Sequence, residues 1–307
     1  MNIFIPHKKN QLPYMDKVLL IGNDINNATG TYSWENLING LMDYAKVDPA
    51  MNLQNKPFPM LYEEIYLNAV KAHGASEARI KKFIASQTRN MQPNELHSLV
   101  LGLGIKNILT TNYDLCFEKT AALTEQSCRN EGTVREKIFN LFRHHKAGEH
   151  NIWHIHGSQT LPGSITLGYE HYGGYLQQMR NYIVSGTQKT YTNKNYYSLG
   201  QRFKENKITH ESWIDFLFTH DVHIFGLNLD FVEMHLWWLL SYRARVIVEG
   251  RFPVTNKIYY YYPAKYEEKS RNKLEMFRVS EVQTVPIKNH DNKLEYYKTV
   301  IKKIRRS

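Results

Sequence analysis

Short apolar runs alternate with amphipathic, helix-like stretches along this chain of 307 residues, and this alternation limits the folds that it can adopt. The apolar runs lie within residues 17–26, 107–119, 151–158, 222–230 and 256–266. Strands that alternate with helices usually form a mostly parallel sheet that the helices cover. The pattern therefore predicts an α/β fold.

The first apolar run leads into a polar turn and then into a helix. Residues 33–46 have helical spacing that places Leu37, Ile38 and Leu41 on one face, and Ser33 is a candidate N-cap. A strand, a turn and a helix in this order open many nucleotide-binding folds. We therefore predict a Rossmann-like, mostly parallel sheet with helices on both faces.

We predict a single domain over residues 1–307 that carries two insertions. Residues 47–104 contain three amphipathic stretches, which predict a helical insertion. Residues 186–208 are polar, aromatic and basic without clear periodicity, which predicts a polar insertion in the form of a loop. Residues 135–146 are predicted to be helical, and residues 293–306 are predicted to close the chain as a helix.

Four of the predicted strands end in polar residues or glycine. These residues are Gly22, Asn23, Asp24, Ile25 and Asn26 after the first strand, Thr111, Asn112, Tyr113 and Asp114 after the second, His156 and Gly157 after the third, and Gly226 and Asn228 after the fourth. Each group could simply cap the helix that follows. Parallel strands, however, place all these ends on one edge of the sheet, where open α/β sheets bind ligands. One shared site explains the four strand ends together.

The charge balance favours a negatively charged partner. The chain has 39 basic and 29 acidic residues, which gives a net charge of +10. Such an excess suits nucleic acid, a phosphate-bearing ligand or an acidic partner, and does not choose among them. Part of it lies at the basic end of the last predicted helix, where a solvated charge cluster is an equally good interpretation.

The cysteines and histidines do not predict a metal site. Cys116 and Cys128 can form neither a disulfide framework nor a four-cysteine zinc module. His154 and His156 make a His-x-His pattern, but no suitable set of further ligands accompanies it in the sequence. We expect no metal, and we expect His154 to pack behind the site. His235 is expected to be a structural or surface residue.

The sequence gives no indication of a membrane or secreted protein. No apolar run approaches the roughly 18 residues that a membrane helix needs. The first residues contain no apolar region of the kind that secretory signals have. We expect a cytoplasmic protein without membrane association.

The order of the motifs resembles that of sirtuins. A glycine-containing turn, Thr-x-Asn-x-Asp, His-Gly and a second glycine-containing turn follow one another within residues 17–245. In detail, the chain is similar to the sirtuin-like NAD-hydrolysing domains of bacterial anti-phage defence systems, such as the Thoeris effector. Their Ser-Trp helix start matches residues 33–38, and their Thr-Thr-Asn-Tyr-Asp motif matches residues 110–114.

The resemblance implies a role for each matching residue at the reacting end of the ligand. Asn112 would hold the nicotinamide ribose or the attacking water, and His156 would be the catalytic histidine. Thr111 and Asp114 would shape the ribose pocket. An amide, a carboxylate and a histidine fit the chemistry, since breaking the bond between nicotinamide and ribose passes through an oxocarbenium-like state and needs an activated water.

The resemblance also implies which residues bind the rest of NAD. Residues 22–26 would cradle the diphosphate, and Gly226 and Asn228 would contact the adenosine half. The family's turn usually reads Gly-Ala-Gly-x-Ser, whereas Asn23 and Asp24 stand here. The carboxylate of Asp24 would repel a diphosphate unless it points away or the ligand sits differently. Protein deacylation is not expected, because two cysteines cannot build the zinc module of the deacylases.

The resemblance implies an NAD glycohydrolase that takes NAD as its substrate, needs no metal and depletes NAD in abortive anti-phage defence. It also implies control by homo-oligomerisation, by a regulatory partner chain or by a phage-derived trigger. The alternative is a non-catalytic sensor or scaffold that binds NAD or ADP-ribose, with nucleic-acid contact through the basic surface.

Overall fold

One sheet forms the centre of the computed structural model, which describes residues 17–29, 34–48, 51, 56–133, 136–187, 194–288, 290 and 292–307. Within these residues the order of the strands is β3-β4-β5-β2-β1-β6-β7-β8. The strands are β1 Lys17–Ile21, β2 Asn107–Thr110, β3 Asn130–Glu131, β4 His144–Ala147, β5 His150–His154, β6 Asp221–Phe225, β7 Ile258–Pro263 and β8 Val282–Ile287.

α-Helices cover this sheet, and some of them form a further core beside it. They are α1 Trp34–Ala45, α2 Phe58–His73, α3 Glu77–Arg89, α4 Glu95–Leu101, α5 Cys116–Thr120, α6 Tyr169–Arg180, α7 Leu199–Lys204, α8 Trp213–Thr219, α9 Met234–Val248, α10 Arg271–Val279 and α11 Lys293–Arg306. Across the described ranges, none of the helices combines the length and the apolar character that crossing a membrane requires.

Among the described strands, those from β5 to β8 in the sheet order run parallel to one another, whereas the pairs β3–β4 and β4–β5 are antiparallel. Ile21 is in register with both Thr110 and Phe225, and Thr110 is in register with His154. The carboxyl ends of β5, β2, β1 and β6 therefore lie at the same level. The chain adds strands on one side of β1 and then on the other, so the strand order reverses there.

The two faces of the sheet bury separate cores. Val18 and Leu20 of β1 pack into a core with α6, α8 and α9, whereas Leu19 and Ile21 pack into a core with α4 and α11. This alternation follows from the two-residue period of a strand. The predicted Rossmann-like, mostly parallel sheet with helices on both faces is therefore confirmed.

Helices that follow β1 and precede β2 in the sequence also lie beside the sheet. α1, α2 and α3 share a third core, which includes Ile165 and Leu167 and reaches Tyr113 after β2. α2, α3 and α4 occupy the predicted insertion at 47–104, and α7 lies within the predicted polar insertion at 186–208. The division of the chain into one domain with two insertions stays a prediction. Ser33, the candidate N-cap of α1, lies outside the described residues.

The predicted helix over residues 135–146 is wrong for residues 136–146, and residue 135 lies outside the described residues. From residue 136 the chain runs irregularly and then enters β4. The Glu136 carboxylate accepts hydrogen bonds from the backbone N–H groups of Leu141 (2.8 Å) and Phe142 (3.0 Å). A side chain that takes up backbone donors in this way competes with the hydrogen bonds of a helix. The apolar spacing that suggested a helix instead serves packing under the sheet.

The turns that follow β1 and β6 touch each other through their backbones. The N–H of Gly22 donates to the Phe225 carbonyl (3.2 Å), and the N–H of Asp24 donates to the Gly226 carbonyl (3.0 Å). A Cβ at Gly22 would overlap the Gly226 carbonyl oxygen. Gly226 itself has a φ of 66°, a conformation that favours glycine. Both turns therefore need glycine at their closest approach.

We predict that Gly22→Ala destabilises the protein by about 2 kcal/mol or more, because the added methyl group has no room beside backbone atoms. Gly40→Ala in α1 is the matched control. Its Cβ would lie 3.8 Å from Phe83, and alanine stabilises a helix interior by up to about 1 kcal/mol relative to glycine. Free energies of unfolding from denaturant titration test this pair, and equal values for the two variants would contradict the proposed backbone contact.

Candidate active site

The aligned strand ends border a cavity of about 340 Å³. The predicted site residues that line it are Asn23, Asp24, Thr111, Asn112, Asp114, His156, Gly226 and Asn228. They come from the carboxyl ends of β1, β2, β5 and β6, so the structure brings residues of all four motifs into one place. That these residues bind a ligand stays a prediction.

Three residues of the first motif do not line this cavity. Gly22 lies beneath it in the backbone contact with Gly226, and Ile25 is fully buried in the core. Asn26 is buried behind the wall, where its Nδ2 donates to Asp114 Oδ2 (2.8 Å) and to Asn23 Oδ1 (2.7 Å). Of the predicted turn residues, only Asn23 and Asp24 line this cavity, and which of them contacts a ligand stays a prediction.

The backbone of Asn112 is held by hydrogen bonds, whereas its side-chain amide has none among the described residues. Its N–H donates to Thr110 Oγ1 (3.1 Å), and its carbonyl accepts from His154 Nδ1 (2.7 Å). The residue is only 5% exposed, yet among the described residues neither polar atom of its side-chain amide has a hydrogen-bond partner. Leaving a buried polar group unpaired costs about 1–3 kcal/mol. Such an amide at a cavity wall fits a ligand that supplies the missing partners.

A buried carboxylate determines the charge of His154. Glu118 Oε1 accepts from His154 Nε2 (2.8 Å) and from His145 Nδ1 (2.6 Å). Burial alone would lower the pKa of His154, but Glu118 raises it above its ordinary value. Burial alone would raise the pKa of Glu118, but the two histidines lower it to about 2. His154 can thus donate on both sides, to Glu118 and to the Asn112 carbonyl, as expected for a residue packed behind the site.

His156 lies in a different environment from His154. Its Nε2 is 2.9 Å from Nε2 of His235 and 3.5 Å from Oε2 of Glu233. Burial lowers the pKa of His156 to about 3. Burial and the neighbouring His156 also lower the pKa of His235 well below its ordinary value. Both imidazoles are therefore neutral at physiological pH, and each keeps one nitrogen without a proton.

Sequence reasoning missed Glu233 and His235. Glu233 lines the cavity just before α9, and His235 is fully buried in the first turn of that helix, so it is not a surface residue. The one signal in the sequence was their position shortly after the Gly226 turn. It was hidden by the apolar sequence of α9, in which a histidine is more readily interpreted as core.

The carboxylate of Asp24 points towards α11. Its Oδ1 accepts from Lys293 Nζ (2.8 Å), and its Oδ2 accepts from the Tyr297 hydroxyl. The lysine offsets the negative charge that would otherwise repel a diphosphate. Asp24, Gly226 and Asn228 also line a second cavity of about 320 Å³, so the two cavities adjoin at these residues.

We predict that Glu233→Gln makes the protein less sensitive to alkaline pH. Burial raises the pKa of Glu233 to about 8, and the charge of Asp230 adds to this. The folded state therefore keeps a proton that the unfolded chain releases above its ordinary pKa of 4.5, and wild-type stability falls as pH rises between these values.

The measurement is the difference in free energy of unfolding between wild type and Glu233→Gln from pH 4 to pH 9. The difference should move in favour of the variant by up to about 1.4 kcal/mol per pH unit between the two pKa values. A difference that stays constant across this range would contradict a protonated Glu233.

Comparison with known proteins agrees with this geometry. Residues 106–218 match the model of the SIR2-like domain family. This segment runs from the start of β2 into α8 and contains Asn112, Asp114 and His156. A comparison with curated proteins finds no significant match. The family match supports a sirtuin-like domain, and SIR2-like domains bind NAD.

Proposed function

We propose that the chain is an NAD glycohydrolase, which cleaves the nicotinamide–ribose bond of NAD to give nicotinamide and ADP-ribose. The observation that carries the proposal is the buried amide of Asn112, which lacks partners among the described residues and borders the cavity beside a neutral His156. The family match over residues 106–218 supports NAD as the substrate.

The reaction consumes one water and releases one proton. Nicotinamide leaves as a neutral group, so its departure needs no general acid. The bond to the departing ring breaks towards an oxocarbenium-like ribose, and a bond forms between the anomeric carbon and water. Asn112 orients the ribose hydroxyls and the water, and the neutral imidazole of His156 accepts the proton that the water loses.

The two adjoining cavities suit the two halves of NAD. In this proposal the nicotinamide ribose occupies the cavity at Asn112 and His156. The diphosphate lies next to Asp24, where the two cavities adjoin, and Lys293 offsets the negative charge of Asp24. The adenosine half lies in the second cavity, where Tyr260 and Tyr296 contribute to an aromatic lining. Aromatic side chains suit a purine ring, because both present flat apolar faces.

The resemblance to defence proteins supports a further part of the proposal, namely that the enzyme depletes NAD in the cytoplasm during abortive anti-phage defence. An enzyme that destroys a central cofactor must be inactive in an uninfected cell. We propose that homo-oligomerisation, with a regulatory partner chain or a phage-derived trigger, supplies this control.

We predict that the purified chain releases nicotinamide from NAD, and that Asn112→Ala and His156→Ala each reduce the rate by about 100-fold or more. His73→Gln, a change on the exposed face of α2, is the control and should retain the wild-type rate. Nicotinamide release is followed by chromatography, with thermal unfolding of each variant as the check on folding.

Release that persists in both variants would place the reaction elsewhere. A wild type that binds NAD without cleaving it, together with loss of binding in Asn112→Ala, would favour the alternative of a non-catalytic sensor.

We predict that activity depends on assembly or on a trigger. Size-exclusion chromatography with light scattering separates the assembly states, and the NAD consumption of each fraction is measured with and without lysate from phage-infected cells. Activity should be confined to oligomers or should rise on addition of the lysate. A monomer that hydrolyses NAD at full rate without any addition would contradict the proposed control.

A further inference from the structure

We propose that His156, Glu233 and His235 form a binding site for a divalent transition metal such as Zn²⁺, and that the bound metal inhibits the enzyme. The inhibition rests on the proposed function, whereas the binding of the metal does not. The site lies at the cavity wall, since both His156 and Glu233 line the cavity.

The spacing of the three donor atoms suits a tetrahedral metal. Nε2 of His156 is 2.9 Å from Nε2 of His235 and 3.5 Å from Oε2 of Glu233, and each residue offers one ligand atom within 4.8 Å of those of the other two. Zinc bonds of about 2.0–2.1 Å at tetrahedral angles separate neighbouring donor atoms by about 3.3 Å. The two short spacings lie on either side of this value, so small side-chain rotations are sufficient.

The donors are of the types that bind a metal once they are deprotonated. A neutral imidazole meets this requirement with one of its two nitrogens. Each histidine needs only to carry its proton on Nδ1, which leaves the lone pair of Nε2 for the metal. Glu233 binds a metal through its deprotonated carboxylate.

A second cluster of residues of metal-binding types is less suited to a metal ion than the first. Glu118, His145 and His154 are also close together and buried. There the carboxylate already accepts from both histidines, and His154 uses its other nitrogen to bind the Asn112 carbonyl. A histidine that donates from both nitrogens has no lone pair for a metal. Oε2 of Glu118 and Oε2 of Glu233 both lack a hydrogen-bond partner in the part of the chain that the structure describes, so the difference between the clusters lies in the histidines. His156 and His235 face each other through Nε2, and neither nitrogen is held by a carboxylate hydrogen bond.

The donor set selects the class of metal. Two imidazole nitrogens and one carboxylate suit Zn²⁺ and its transition-metal neighbours, whereas Mg²⁺ prefers oxygen ligands in an octahedron. The cavity leaves a fourth position for water. Nδ1 of His235 lacks a partner among the described residues, so the usual second hydrogen bond of a metal-binding histidine is missing. We therefore expect reversible binding rather than a permanent structural metal.

A metal in this position would block the proposed reaction in two ways. It takes the lone pair of His156, so the imidazole can no longer accept a proton from water. It also adds positive charge beside the positively charged nicotinamide ring of NAD.

The test uses Co²⁺ as a spectroscopic probe, because tetrahedral Co²⁺ absorbs visible light far more strongly than octahedral Co²⁺. Titration of the full chain should give one tetrahedral site, which Zn²⁺ displaces and Mg²⁺ does not. Glu233→Gln and His235→Asn should each weaken the binding by about tenfold or more, whereas His73→Gln should leave it unchanged. Glu233→Gln preserves the shape of the side chain, and it decides the result if His235→Asn fails to fold.

The absence of a tetrahedral band, or a band that both variants retain, would overturn the proposal. If the wild type cleaves NAD, Zn²⁺ should inhibit it and a chelator should restore the rate. If the chain does not cleave NAD, the proposed function fails, and the Co²⁺ titration still decides whether the metal site exists.

Discussion

The parallel register of β5, β2, β1 and β6 is the constraint on which the site depends. It sets the ends of these strands at one level, and the backbone hydrogen bonds beyond them continue the alignment. A slip of one residue in any pairing would turn the side chains that follow that strand to the other face of the sheet. The close contact between Gly22 and Gly226 then fixes the two turns on either side of the point where the strand order reverses.

A buried ion pair orients Asn112, a residue in the wall of the cavity. Glu118 and His154 hold each other in charged form, and His154 donates to the Asn112 carbonyl. A pair of this kind seldom adds much net stability, because removing two charges from water offsets their attraction. Its effect here is geometric. The backbone of Asn112 is fixed before any ligand arrives, so a ligand need not order it.

The sequence predicted the sheet because a strand and a helix each leave a local period in the chain. It predicted that the polar residues at four strand ends lie together, because a parallel sheet places the carboxyl ends of its strands at one edge. Contacts between residues far apart in the chain leave no such local pattern in the sequence. The pairing of Asp24 with Lys293 joins residues at opposite ends of the chain, and the contact of His156 with His235 depends on the direction in which α9 leaves β6. The irregular chain before β4 has apolar spacing like that of a helix, but the side chains of Glu136 and Asn140 accept hydrogen bonds from its backbone N–H groups instead.

The pattern His-x-His is the clearest example of a feature whose surroundings the sequence does not predict. His154 and His156 are two residues apart, and a continuous strand would present both in the same way. β5 ends at His154, however, so the two rings reach different neighbours. His154 meets a carboxylate that favours its charged form, whereas His156 meets a neutral imidazole and a carboxyl group that burial keeps protonated. The same residue type is thus charged at one position and neutral at the other. The side chains that surround each ring determine this difference, and they come from parts of the chain that lie far apart in the sequence.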